Sequence, residues 1–147
     1  MTLRSDQHSV IRLGIVLLGL AAVAGLFELF ARQAPYTPLE LGMLPGPIQQ
    51  LRDAALVHAL VALLAGLSLP AAWPTVAPLR FVRLLVLGHG LLFTALAYAA
   101  VTGRMAVQIR DPRPLAVVLT ALRIVGHLTV VGAYFVWARR LWVARGA

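Results

Sequence analysis

The chain has 147 residues, 61% apolar and 12% charged, with 13 Lys+Arg against 5 Asp+Glu and no cysteine. Because a soluble domain is about 45–50% apolar and about 25% charged, this composition predicts an integral membrane protein. Without cysteine, zinc fingers, disulfide scaffolds, thiol catalysis and iron–sulfur clusters are excluded. No water-exposed domain is predicted that could carry a basic face, so we expect no nucleic-acid partner. Every cation is an arginine, which indicates a bacterial source.

Four apolar segments follow one another along the chain, each long enough to cross a bilayer, which takes about 17–25 residues. The connection between the first two contains APYTPLELGMLPGP, whose prolines and glycines break a regular helix, and continues into a short interfacial turn around IQQLRD. We therefore predict an all-α bundle of four transmembrane helices with short loops, forming a single domain over residues 1–147. The predicted spans are 13–31, 54–73, 84–102 and 115–138.

The arginines outside these spans predict the orientation in the membrane. Seven lie in the N-terminal segment, the second connection and the C-terminal tail, and five lie in the other two connections. The positive-inside rule therefore favours cytoplasmic termini. The first apolar run is longer than the roughly 7–15 residues of a signal peptide, so we expect it to remain as a span. The predicted location is the inner (plasma) membrane, with several passes.

Five ionisable side chains lie at membrane depth: Glu28, His58, His89, Arg123 and His127. Such residues are costly in lipid, so each needs a partner or a function. In the fourth span, Arg123, His127 and Tyr134 share one helix face with Thr120, within an arc of about 60°. We expect this polar stripe to face the bundle interior or a partner.

His89 and His127 come from different spans and have similar estimated depths, an arrangement typical of the two axial ligands of a b-type haem. The glycines beside them, among them Gly88 and Gly126, would leave room for a flat macrocycle. Arg123 would then meet a haem propionate or a quinone carbonyl. The stretch LRIVGH is loosely similar to the membrane histidine and nearby arginine of quinone-reducing anchor subunits of succinate dehydrogenase-like enzymes. That similarity covers a few residues, and we predict no family membership from it.

The alternative for the two histidines is that each forms hydrogen bonds to a neighbouring helix. Glu28 also has alternatives: it could pair with Arg123 at a similar depth, or with Arg32 one turn later on its own helix. Glu28 and His58 could instead carry protons at a quinone or substrate site, because imidazole titrates near neutral pH. Tyr134 would belong to the same path. No second histidine is expected at the depth of His58.

These observations lead us to expect a small anchor or accessory subunit of a membrane electron-transfer complex, with haem b held by His89 and His127. One alternative is a structural or assembly protein without a cofactor. Another is a small oligomeric transporter with Glu28, His58 and Arg123 along its pathway. The sequence contains no HExxH, GxSxG or phosphate-binding loop, so we do not expect an enzyme acting alone. The expected partners are membrane lipids, a quinone, and further copies or a larger membrane complex.

Overall fold

A computed structural model describes residues 3–33, 45–74, 78–102 and 114–145. Over these ranges the chain is all-α, without strands, and each helix is long and apolar enough to cross a membrane. The prediction of four spanning helices is confirmed, and the protein is a multi-pass membrane protein. The helices are α1 (Leu3–Gln33), α2 (Pro45–Ala72), α3 (Leu79–Thr102) and α4 (Pro114–Arg145).

Helix α2 begins well before the apolar segment that predicted it. Its first residue is Pro45, so the stretch IQQLRD is helical and the predicted interfacial turn there is wrong. Proline is suited to the first position of a helix because its φ is already helical and its missing N–H would have had no partner. The helix continues through Pro70 to Ala72. Most of the predicted proline- and glycine-rich connection, residues 34–44, lies outside the described residues.

The helices form two antiparallel pairs, α1 with α2 and α3 with α4. Glycines bring the two helices of each pair close together. A Cβ added to Gly66 of α2 would lie 2.7 Å from Cγ1 of Ile11 on α1. A Cβ added to Gly126 of α4 would lie 2.6 Å from the backbone nitrogen of Leu92 on α3. Small residues of this kind allow membrane helices to pack closely where lipid supplies no hydrophobic force between them.

The two pairs meet along a smaller surface, which we name the inter-pair seam, where α2 faces α3 and α4. Helix α1 reaches α3, but among the described residues none of its Cα atoms lies within 8 Å of one in α4. Two clusters of buried apolar side chains occupy opposite ends of the bundle. One contains Ala55, Phe93 and Leu96, and the other contains Leu69, Leu85 and Trp137. The polar residues described next lie between these clusters.

Candidate functional site

Three histidines and a tyrosine from three helices meet at the middle of the inter-pair seam. The ring centroid of His58 on α2 lies 5.1 Å from that of His89 on α3 and 6.0 Å from that of His127 on α4. The ring of Tyr134, also on α4, lies 5.9 Å from His89 and 6.4 Å from His58. We name these four residues the histidine cluster.

Helix periodicity explains how the cluster is assembled. His127 and Tyr134 are seven residues apart, which is nearly two full turns, so both project from the same side of α4. His58 projects from a face of α2 on which the neighbouring buried residues are alanines, among them Ala55, Ala59 and Ala62. Because these side chains are small, the imidazole of His58 extends into the space between the helix pairs.

The hydrogen bonds of His89 determine the form of its ring. Its Nδ1 lies 2.7 Å from the carbonyl oxygen of Leu85, which can only accept, so Nδ1 carries a hydrogen. In the neutral ring Nε2 is then an acceptor. The Tyr134 hydroxyl lies 3.4 Å from this Nε2 and 3.4 Å from the carbonyl oxygen of His58. Since a hydroxyl has one hydrogen, Tyr134 donates to only one of these acceptors at a time.

The ring of His58 has an unsatisfied nitrogen. Its Nδ1 is buried and has no hydrogen-bond partner in the described part of the chain. The ring packs edge-on against Phe93, with centroids 5.7 Å apart, as well as against His89. A buried polar atom without a partner costs about 1–3 kcal/mol. Such atoms are uncommon in folded proteins, and a functional role is one of the accepted explanations for them.

The cluster extends from the outside of the bundle to its interior. His127 is exposed, His58 is half-buried, and His89 is buried with 2% of its surface accessible. The predicted polar stripe on α4 therefore does not face the interior uniformly. Tyr134 and Arg123 are half-buried, whereas His127 lies at the outer surface while its ring still contacts His58.

The arrangement does not fit a haem bracketed by His89 and His127. The ring of His58 contacts both of their rings, so a macrocycle between them would have to displace it. Gly88 and Gly126 do not provide free space, because a Cβ on Gly126 would lie 2.9 Å from the carbonyl oxygen of Gly88. These glycines instead allow contact between the backbones of α3 and α4. Haem ligation stays a prediction, which an absorbance spectrum tests directly.

Glu28 belongs to a separate polar site near the start of α2. Its carboxylate accepts a hydrogen bond from the Arg52 guanidinium and forms an ion pair with it. Arg52 also binds its neighbour Asp53, with Nε 2.9 Å and Nη2 2.8 Å from Oδ1. The Glu28 side chain is 4% exposed and that of Arg52 is 35% exposed. Arg52 lies six residues before His58, about 9 Å along the helix axis, so the ion pair and the histidine cluster are distinct.

The sequence-based prediction missed this ion pair because it assigned Arg52 to a connection rather than to α2. Helix α1, which carries Glu28, packs on α2 and α3, whereas the predicted partner Arg123 lies on α4. The side chain of Arg32, the other predicted partner, lies outside the described residues. The signal that could have located the contact is Pro45, because a proline at that point favours a helix that already includes Arg52.

Neither metal geometry nor similarity to known proteins identifies the site further. Within the described ranges, no three His, Asp or Glu side chains are arranged to hold a metal ion. The chain matches no protein-family model, and no curated protein or solved structure is significantly similar to it. The function must therefore be argued from the histidine cluster and its surroundings.

Proposed function

We propose that the protein is a small membrane transporter whose histidine cluster binds a proton inside the bilayer and passes it through the bundle. The observation that carries the proposal is the position of His58, in ring contact with exposed His127 on one side and buried His89 on the other. Ionisable residues inside a membrane are rare, and many of them belong to ion or proton pathways.

Imidazole is suited to this role because it gains and loses a proton near neutral pH. The ring centroid of His58 lies 5.1 Å from that of His89 and 6.0 Å from that of His127. Two positive charges at that separation repel strongly in a medium of low dielectric constant. The cluster is therefore suited to one added proton at a time, which can be held on any of its three imidazole rings.

The hydrogen-bonding groups also provide a direction for the proton. The unpartnered Nδ1 of His58 can accept a proton. The Tyr134 hydroxyl, within 3.4 Å of His89 Nε2, can donate to that nitrogen and accept from elsewhere. A proton that enters at the outer surface through His127 would thus reach the interior of the bundle through His58.

The position of the cluster between two helix pairs favours transport over a purely structural role. Alternating access in many transporters is a rocking of one bundle of helices against another around a central site. Here each pair is closely packed internally and the proton-binding groups lie where the pairs meet. With four spans, we propose that the protein acts as a homo-oligomer in the inner (plasma) membrane.

The test is proton flux into liposomes that contain the purified protein and a pH-sensitive dye, driven by an imposed potassium diffusion potential. We expect flux above that of protein-free liposomes, and its loss in His58→Phe, which keeps an aromatic ring against Phe93. His8→Phe is the matched control, because His8 is exposed on α1 and lies outside the cluster. Equal flux in wild type and His58→Phe, or none in the folded wild type, would contradict the proposal.

The interpretation as an electron-transfer accessory subunit predicts a different result. A reduced-minus-oxidised absorbance spectrum of protein purified from cells supplied with haem precursor would show a sharp α-band. That band would disappear in His89→Ala and in His127→Ala, and finding it would replace the transporter proposal. A flat spectrum from folded protein would remove the haem prediction, and the flux assay would then decide between a proton pathway and a purely structural role for the three histidines.

A further inference from the structure

A groove of about 960 Å³ opens on the surface of the bundle between α3 and α4. Leu84, Leu128 and Val136 give it apolar walls, and Arg80 and Arg140 contribute the cations among its lining residues. All five of these side chains are exposed. None of the residues that line the groove is acidic. A surface that is apolar along its length and cationic at one point suits an amphiphile with an anionic head.

The two arginines lie at the same end of the groove. Helices α3 and α4 are antiparallel, and a Cβ on Gly88 would lie 3.1 Å from Cβ of Thr129, which fixes their register. Arg80 precedes Gly88 by eight residues and Arg140 follows Thr129 by eleven, so both are displaced from this crossing in the same direction. Trp73 also lines this end, and an indole is typical of the boundary between hydrocarbon and headgroups.

The length of the groove matches the depth of one leaflet. Arg140 and Leu128 are twelve residues apart, about 18 Å along a helix. One leaflet contributes half of a hydrocarbon core about 30 Å thick. A chain whose headgroup is held by the arginines would therefore end close to Leu128, near the middle of the bilayer.

The floor of the groove is open at its midpoint. A Cβ added to Gly132 would have no atom within 4 Å, so the absent side chain leaves space rather than a helix contact. The hydroxyl of Thr129 donates to the carbonyl oxygen of Val125 at 2.7 Å, so this polar group is satisfied within its own helix. The groove thus presents an apolar surface to its occupant below the arginines.

We infer that this groove is a binding site for an anionic phospholipid. Arg80 and Arg140 would hold the phosphate of the headgroup, and one acyl chain would lie along Gly132 towards Leu128. Arginine forms strong charge-assisted hydrogen bonds to phosphate, and basic pockets between transmembrane helices bind anionic headgroups. The inference uses no residue of the histidine cluster and does not depend on the proposed transport.

The test is native mass spectrometry of the purified full-length protein with dioleoyl-phosphatidylglycerol or dioleoyl-phosphatidylcholine in a neutral detergent. We expect wild type to retain the anionic lipid more strongly than the zwitterionic one. The double variant R80Q/R140Q should lose this preference. Gly132→Leu should reduce retention of the anionic lipid because its side chain fills the space of the acyl chain.

Two control variants keep the result specific. Arg12→Gln removes an exposed arginine of α1, and Gly19→Leu adds a side chain at another glycine with no atom within 4 Å of its Cβ. Both should bind the anionic lipid as wild type does. Equal retention of the two lipids by wild type would overturn the inference. So would full competition by inorganic phosphate combined with unchanged binding in Gly132→Leu, because the site would then be one for a free anion.

Discussion

The contacts within each helix pair differ in kind from those between the pairs. Inside the pairs, glycines bring backbones together, as where Gly126 meets Leu92. At both ends of the inter-pair seam the buried apolar clusters join the two pairs, and between these clusters polar side chains make contact. Trp137 Nε1 also donates to Ser68 Oγ at 3.0 Å. Close van der Waals packing has one favourable arrangement, whereas hydrogen bonds at a seam can exchange partners. We therefore expect two rigid pairs whose seam is apolar at both ends and adjustable at the histidine cluster between them.

The largest effect is expected from disturbing the packing within a pair. Gly126→Ala adds a methyl group 2.6 Å from the backbone nitrogen of Leu92, and backbone atoms cannot move aside without separating the helices. We expect the free energy of unfolding to fall by about 3 kcal/mol. Gly132→Ala on the same helix is the control, and should leave stability unchanged or raise it by up to about 1 kcal/mol. Unfolding in mixed micelles measures both, and equal losses would show that the glycine contact does not hold the pair together.

An intermediate effect is expected at the ion pair between α1 and α2. Arg52→Leu leaves the Glu28 carboxylate, whose side chain is 4% exposed, without this partner. We expect a loss of about 2 kcal/mol, because a hydrogen bond to a charged group contributes about 1.5–3 kcal/mol. Glu28→Gln should cost less, because Arg52 is more exposed and keeps its contact with Asp53. If Glu28→Gln lowers the free energy of unfolding more than Arg52→Leu does, the buried Glu28 carboxylate is not the group whose charge needs a partner.

The smallest effect on stability, and a clear one on function, is expected at the seam. Tyr134→Phe removes a hydroxyl whose two alternative acceptors both lie 3.4 Å away, beyond the usual hydrogen-bond distance. We therefore expect a loss below about 1 kcal/mol. Proton flux in liposomes should nevertheless decrease. Unchanged proton flux in Tyr134→Phe would show that Tyr134 is not part of the pathway. A large loss of stability would show that the inter-pair seam is as rigid as the helix pairs.

The helices could be predicted from the sequence because their length and apolar character are local properties. The residues at which the helices begin could not be predicted in the same way, because polar residues such as those of IQQLRD continue a helix once Pro45 has begun it. Because the predicted span began later than α2 does, the sequence placed His58 too close to the membrane surface. His58 is the fourteenth residue of α2 and lies near its middle. The expectation that His58 has no histidine at its depth is therefore wrong.

The residues that the polar side chains contact depend on tertiary packing, so these contacts were harder to predict from the sequence. The sequence matched the depths of His89 and His127, and both do belong to one cluster. The pairing of Glu28 with Arg52 follows from the register of α1 against α2, which contacts such as that of Gly66 with Ile11 determine. That register depends on the shapes of both helix surfaces, and hydropathy contains no information about it.

The single hydrogen of the Tyr134 hydroxyl has a mechanical consequence. Its two acceptors, the carbonyl oxygen of His58 and Nε2 of His89, belong to different helices and lie at the same distance of 3.4 Å. A small sliding of α2 past the α3–α4 pair would change the distance from the hydroxyl to the carbonyl oxygen of His58 and leave its distance to Nε2 of His89 unchanged. Shear of packed helices is a common form of conformational change. The hydroxyl would then turn towards the nearer acceptor, so that a sub-ångström displacement is converted into a change of hydrogen-bond direction.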